Sequence, residues 1–458
     1  MDRLRKLWQR EQDYEPLEAS ITSESSEIDD VTLVPAVKEF SYVEYTIFLL
    51  LGVSMLWAWN MFLAAGPYFS HRFRNNDWIM ENFQAAEITV STVTNLGFML
   101  LLTRLQANAS YPKRIVASLC ISMACFALLA VSTRLFRDVS AGVYFGFLIV
   151  MIFLSTLGTA LCQNGIFAYV SGFGQPKYTQ GIMTGQAVAG VLPCVAQIVS
   201  VLAIHGTSVG KNGSYDDNDT PHGPSPVKPS AAMTYFLTAT VIAAVTLIAF
   251  LYLQARTQEP KEMANSSTPT DEDEPEERKQ VPMIVMARKL RWLAAGVFTT
   301  FVVTIAVFPV YTQRIVSVRP PSEQTTWFTA PVFIPLGFLF WNIGDLLGRL
   351  TTAVPSLSLT HRPFLVFLLA IARISFLGLY HLCNVRGRGA VVSSDFFYLV
   401  VVQVLFGLTN GYLGSICMIG AGEWVEPEER EAAGGFMSLC LVAGLTTGSL
   451  ASFFAAGA

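Results

Sequence analysis

Charge is what this sequence has least of. Asp, Glu, Lys and Arg make up 14% of its 458 residues, against roughly 25% in an ordinary soluble domain, so a water-facing surface of normal composition is excluded. The net charge of −4 supplies no basic field, which excludes a nucleic-acid-binding surface. Paired cysteine spacing is missing as well. Cys120, Cys125, Cys162, Cys194, Cys383, Cys417 and Cys440 lie in or beside apolar runs, none in a Cys-x-x-Cys pair. Neither a disulfide framework nor a zinc site is therefore indicated, and the thiols read as small hydrophobes. No Gly-x-x-x-x-Gly-Lys-Ser/Thr loop occurs, which argues against ATP-driven chemistry. No metal and no cofactor is called for. No signal peptide is expected either: residues 1–41 are polar and acidic (Asp13, Glu15, Glu18, Glu24, Glu27, Asp29, Asp30), so the first apolar helix is expected to direct its own insertion.

What the chain does have is apolar length. Hydrophobic residues make up 52%, mean hydropathy is +0.46, and hydrocarbon about 30 Å thick needs roughly 20 apolar residues per helix. Such runs fall near 42–65, 83–105, 113–134, 142–171, 178–205, 231–255, 290–316, 330–354, 362–384, 395–419 and 433–457. The expected fold is an all-α polytopic membrane protein of eleven transmembrane helices, with its termini on opposite sides of the bilayer.

Lys and Arg set the orientation. Arg3, Arg5, Lys6, Arg10 and Lys38, with Arg104, Lys113, Arg114 and the basic residues between 256 and 291, outweigh the opposite set around Arg72, Arg134 and Arg386. The N-terminus is therefore expected in the cytosol. Asn212-Gly-Ser and Asn218-Asp-Thr then lie outside, where glycosylation is possible. Those two sequons favour the plasma membrane, although Tyr14-Glu-Pro-Leu17 has the shape of a sorting signal to lysosomes or vacuoles.

Residues 256–289 break the apolar pattern with proline, serine and an acidic run, the composition of a solvated tether. The expected organisation is a disordered tail (1–41), a six-helix bundle (42–255), a disordered acidic linker (256–289) and a five-helix bundle (290–458), with a cavity between the bundles. Small-xxx-small steps at Gly142/Gly146, Gly181/Gly185, Gly344/Gly348, Gly407/Gly411 and Gly444/Gly448 are expected to pack helices closely.

The chemistry gathers in the eighth span. Phe338, Asn342, Asp345 and Arg349 recur at steps of four, three and four and share one helix face. Asp345 and Arg349 can pair at i and i+4. An acid at membrane depth marks a pathway unless it merely latches the helix in an ion pair. In the first span Leu56, Trp59 and Leu63 share a face beside Asn60, as an interfacial anchor or as a cavity wall. Gln163 and Asn164 sit in the fourth span, as helix glue or ligand contacts. Pro309 follows Phe308 in the seventh and frees a backbone carbonyl, as a kink or gate would. Glu87 is a second acid at depth, a candidate with Asp345 for proton coupling.

These residues resemble the equilibrative nucleoside transporter family over nearly everything after residue 41. The likeness rests on Trp59-Asn60 with Phe62 and Tyr68-Phe69, Gln163, Gly185-Gln186-Ala-Val-Ala-Gly190, Phe308-Pro309, Asn342-Ile-Gly-Asp345-Leu-Leu-Gly348-Arg349, Ala372-Arg373, Asn410-Gly-Tyr412 and Ala433-Gly434. Ala58 and Trp341 depart from it, where the family usually has Pro and Phe. The resemblance implies a major-facilitator-like fold of 6+5 bundles and a facilitative carrier of nucleosides, with nucleobases a further candidate. It implies ribose contacts at Asp345 and Arg349, a base contact at Gln163, and apolar walls at Leu56, Trp59 and Phe338, with Asn60, Phe308 and Asn342 beside them. The expected partners are a nucleoside and the lipid bilayer. Other classes are a proton-coupled symporter of an acidic organelle, a carrier of another polar solute such as a sugar, or an intramembrane protease. The last needs a second carboxylate beside Asp345, for which Asp395 is the candidate.

Overall fold

The computed structural model describes residues 40–106, 109–136, 138–209, 229–266 and 281–457. Among them eleven helices are long and apolar enough to cross a membrane, and the protein is an integral, multi-pass, all-α membrane protein. Each apolar run becomes a helix because hydrocarbon offers backbone N–H and C=O groups no partners outside the segment itself.

In chain order the helices are α1 (Tyr42–Ala64), α2 (Gly66–Arg72), α3 (Asp77–Arg104), α4 (Tyr111–Leu135), α5 (Ala141–Gly172), α6 (Pro176–Val209) and α7 (Pro229–Ser266). A short α8 (Met283–Lys289) leads into α9 (Arg291–Thr312), α10 (Ala330–Thr351), α11 (Pro363–Ala372) and α12 (Ser375–His381). A π-helical stretch, Phe397–Val404, opens α13 (Leu405–Gly420), and α14 (Arg430–Gly457) closes the fold. Prolines in the first turn of α4, α10 and α11 sit where an N–H would have no helical partner. Asn76 caps α3 by accepting from the Ile79 N–H at 3.1 Å, the usual role of a short polar residue at that position.

Helical structure overruns the expected linker 256–289 at both ends. The sixth span continues as α7 to Ser266, past the expected boundary at 255, and α8 occupies the last residues before the seventh span. Gln254, Ala255 and Arg256 are good helix formers, so nothing local stops the helix where hydrophobicity ends. Lys289 of α8 donates to both Glu429 oxygens at 2.6 and 2.8 Å, tying that end of the linker to the start of α14. Residues 1–39 of the expected tail and the stretch 267–280 lie outside the described residues, as do Asn212 and Asn218.

Helices α1 to α7 pack chiefly on one another, as do α9 to α14. The same pairing recurs in each half. The first span lies along the fifth, α1 on α6 and α9 on α14, as two parallel repeats of a facilitator-like fold require. Glycine makes both pairs possible. A Cβ at Gly185 would overlap the Leu49 carbonyl, and Gly444 and Gly448 lie against the backbone of Phe298 and Val302. Gly407 and Gly411 of α13 approach the carbonyls of Trp341 and Asp345 in α10 just as closely. The Gly142/Gly146 step is different: among the described residues a Cβ at either position meets nothing within 4 Å, so the expected packing is not formed there.

The two halves meet through α6 on α10 and α13, and through α14 on α5 and α3. Several of these contacts gather at the end of the molecule where α1 begins. There Gly434 sits against Phe167 O and Ser171 Oγ, Gly435 faces Gln106, and Gly172 and Gly174 face Glu431 and Arg430.

Candidate functional site

Helix α10 carries a buried polar cluster where the two halves meet. Arg349 Nε donates to Asp345 Oδ2 at 2.8 Å, with the two side chains only 7% and 3% exposed. Taking such a pair out of water is tolerable only if the remaining hydrogen-bonding capacity is also met. It is met from both sides. Asn410 Nδ2, on α13, donates to Asp345 Oδ1 at 2.6 Å. Arg349 Nη1 crosses to the other half, donating to Met183 O at 2.7 Å and Gln186 Oε1 at 3.1 Å on α6. The pair is more than a latch within one helix: its guanidinium bridges the halves.

One turn earlier, Asn342 is half-buried and donates to Phe338 O at 2.9 Å, while its Oδ1 occupies the space a Cβ at Gly190 would take. Glycine at 190 is what lets α6 approach α10 there. Phe308 stacks on Trp341 with centroids 4.1 Å apart and planes at 19°, and meets Phe338 edge-on at 5.1 Å. The structure thus joins Phe308, Phe338, Asn342, Asp345 and Arg349 along one seam. It adds Trp341, one of the two positions that depart from the resemblance. Pro309 lies inside α9 without ending it, since the helix continues to Thr312.

The residues of the first half are placed less uniformly. Leu56 and Trp59 are half-buried, whereas Leu63, expected on the same face, is 54% exposed. Asn60 Nδ2 donates to Ala189 O at 2.8 Å, so its amide joins α1 to α6. Gln163 is buried on α5 beside Asn164, whose Oδ1 accepts from Arg114. Glu87 is buried on α3, and its Oε1 has no hydrogen-bond partner among the described residues. Helices α3 and α5 meet the second half chiefly through α14 rather than α10, and none of the hydrogen bonds of the Asp345 cluster reaches Gln163 or Glu87.

Asp395 is not a second acid beside Asp345. Its oxygens accept from Ser317 Oγ at 2.7 Å and the Val318 N–H at 3.0 Å, and Arg319 stands 3.7 Å away. It anchors the loop after α9, and the paired carboxylates of an aspartyl protease are not formed with it. Met183, Gln186 and Asn410 join the cluster, although none is a site candidate from the sequence. Gln186 and Asn410 lie in motifs that stand out in the sequence, but which atom each would face depends on packing between distant segments.

A family model described as nucleoside transporter matches residues 149–456. The yeast Saccharomyces cerevisiae protein "Nucleoside transporter FUN26" is 28% identical, with 96% of this chain and 88% of that protein covered. Mouse "Equilibrative nucleoside transporter 1" is 26% identical over 89% of this chain and 96% of its own. Among solved structures, the proton:xylose symporter XylE of the major facilitator superfamily superposes with a TM-score of 0.55 at 11% identity, covering 90% of this chain and 86% of that one. The human organic anion transporter MFSD10 superposes with a TM-score of 0.52 at 13% identity, over 90% and 93%. These two likenesses bear on the fold, which is major-facilitator-like. The family match runs from α5 through α14 and covers most of the chain, the α10 cluster included: the chain belongs to the nucleoside transporter family.

Proposed function

We propose that this protein carries nucleosides across a bilayer down their gradient, by alternating access of a site between its two halves. The observation that carries the reading is the Asp345–Arg349 pair on α10, whose guanidinium reaches the opposite half through Met183 and Gln186. A carboxylate has about four acceptor sites, and Arg349 and Asn410 occupy two at Asp345. Two remain for the vicinal hydroxyls of a ribose. A guanidinium makes charge-assisted bonds to the same hydroxyl oxygens, and Arg349 does so by exchanging its bonds to α6 for bonds to the sugar as the halves part. Leu56, Trp59, Phe308 and Phe338 supply apolar walls for the base, and Asn60, Gln163 and Asn342 supply amides. This is transport rather than catalysis: the proposed cycle breaks no covalent bond.

Uptake of labelled uridine and adenosine into proteoliposomes tests the reading. Asp345→Ala should abolish uptake of both while membrane insertion stays intact, and normal uptake by that variant would move the binding site elsewhere. A second reading, symport with a proton, is favoured by the buried Oε1 of Glu87 without a partner, since unpaired acids at membrane depth mark proton routes. The two readings part on Glu87→Gln. Facilitated transport predicts the same ratio of uptake at pH 5.5 to uptake at pH 7.5 as the parent, and symport predicts loss of acid stimulation. The plasma membrane is the proposed compartment, which surface labelling together with loss of mass on Asn212→Gln and Asn218→Gln would check.

A further inference from the structure

Behind the Asp345–Arg349 pair lies a second buried guanidinium that the transport reading does not use. Arg373, at the end of α11, is 2% exposed and lies over the Phe406 ring at 4.5 Å. Its Nη1 donates to Thr300 O at 2.6 Å, its Nη2 to Thr304 Oγ1 at 2.8 Å, and its Nε to Thr409 Oγ1 at 3.1 Å. Thr304 Oγ1 in turn stands 2.6 Å from Asn410 Oδ1, and Asn410 Nδ2 stands 2.6 Å from Asp345 Oδ1. Four side chains from α9, α10, α11 and α13 therefore form one unbroken line from Arg373 to the candidate ribose site.

The direction of every bond in this line is forced. Asp345, as a carboxylate, only accepts, so the amide nitrogen of Asn410 must face it and the amide oxygen must face Thr304. That oxygen also only accepts, so the Thr304 hydroxyl must give it its single proton. The hydroxyl lies 2.8 Å from Thr300 O as well, but that carbonyl has a second donor in Arg373 Nη1, whereas the Asn410 oxygen, 2.6 Å away, has only the Thr304 hydroxyl among the described residues. Arg373, which only donates, fills a lone pair of the hydroxyl and turns its proton towards Asn410. Such chains polarise in one sense and strengthen in a low dielectric. No side chain in this one can reverse without leaving two acceptors, or two donors, face to face.

We propose that Arg373, Thr304 and Asn410 are positioning residues, a hydrogen-bond relay that holds Asp345 in place and sets how strongly the site prefers substrates with a vicinal diol. The proposal rests on the reading that Asp345 meets the ribose hydroxyls. With the relay intact, Asp345 is kept on α10's inner face with two acceptor sites aimed away from α13. With it broken, the carboxylate turns to Asn410 and Arg349 in other rotamers and the diol loses a charged hydrogen bond.

The test compares uptake of uridine and 2′,3′-dideoxyuridine in proteoliposomes by the parent, Thr304→Val, Thr304→Ser, Asn410→Asp and Asp345→Asn. Hydrogen bonds to charged groups are worth about 1.5–3 kcal/mol. Thr304→Val should therefore raise the KM for uridine by about tenfold or more and that for dideoxyuridine by less than about twofold, while Thr304→Ser, which keeps the hydroxyl, stays near the parent for both. A protonated carboxyl at position 410 can accept from Thr304 and donate to Asp345 as the amide does, whereas an ionised one repels Asp345. The charged groups around that position are Asp345 and Arg349 on α10 and Arg373 on α11, and α9 contributes the Thr304 hydroxyl. Uptake of uridine by Asn410→Asp relative to the parent should accordingly rise as pH falls from 7.5 to 5.5.

An equal loss for both nucleosides in Thr304→Val, or a flat pH ratio in Asn410→Asp, would reduce these residues to packing and overturn the relay. Asp345→Asn separates that failure from failure of the diol reading. If it leaves the preference for uridine over dideoxyuridine unchanged, Asp345 does not meet the diol. If it removes the preference while Thr304→Val does not, only the relay falls.

Discussion

Arg349 shows how much one side chain can be asked to do in a membrane interior. Its Nε holds Asp345 on its own helix while its Nη1 holds Met183 and Gln186 across the interface. Lysine carries the same charge as a single point on a flexible stem and cannot span two partners in fixed directions. Arg349→Lys should keep the carboxylate neutralised but lose one of these bonds to a charged donor, each worth about 1.5–3 kcal/mol. We expect the uridine KM to rise by about tenfold or more with little change in the amount of folded protein, read by uptake kinetics and size-exclusion chromatography in detergent. The pairing of Asp345 with Arg349 is legible from their i, i+4 spacing alone. The partners on α6 are not, because a helix face has no address for what it will meet until the other half is packed against it.

Among the elements, α10 and α13 pack backbone to backbone beside the site. Gly344, Gly348, Gly407 and Gly411 interleave so that each lies against the carbonyl backbone of the opposite helix. Close approach of this kind supplies the van der Waals contact that holds helices together in lipid, where no hydrophobic force does so. A methyl at Gly411 would overlap the Asp345 carbonyl and crowd Arg349 Cγ. Overpacking of such a contact costs about 1–3 kcal/mol. Gly411→Ala should therefore lower the melting temperature and disturb the site with it. Gly142→Ala and Gly146→Ala, which meet open space, should be neutral or slightly stabilising, since Ala outranks Gly in helices by roughly 1 kcal/mol. Thermal unfolding of the three variants in detergent checks both halves of the expectation. All five glycine pairs look alike as sequence patterns. Four of them pack and one does not, because the pattern permits an approach without supplying a neighbour.

For the whole molecule, the contacts at the end where α1 begins hold the halves together there. Gly434 of α14 rests on Phe167 O and Ser171 Oγ of α5, and no larger residue fits without parting them. Gly434→Ala should destabilise this closed arrangement by about 1–3 kcal/mol, which shifts a two-state equilibrium by roughly 5–150-fold. A cysteine at Gln106, which faces Gly435 across the same seam, should then react faster with a maleimide than in the parent. An unchanged rate would mean that this seam does not govern access.

The family entered through the motifs that carry the resemblance, whereas the sequence by itself determined the number of spans, the helical class and the acid–guanidinium face of α10. Each of these follows from rules that act within a few turns: a bilayer of fixed thickness, backbone groups that must pair locally, and a helical period that puts every third or fourth residue on one side. Only the tertiary structure decided that Arg349 reaches α6, that Asp395 serves a loop after α9 rather than the site, and that Arg373 stands behind Asp345 through Thr304 and Asn410. The reason is that a buried polar group must find partners wherever the packing offers them. Those partners come from helices far apart in the chain, whose mutual rotation and depth no local pattern records.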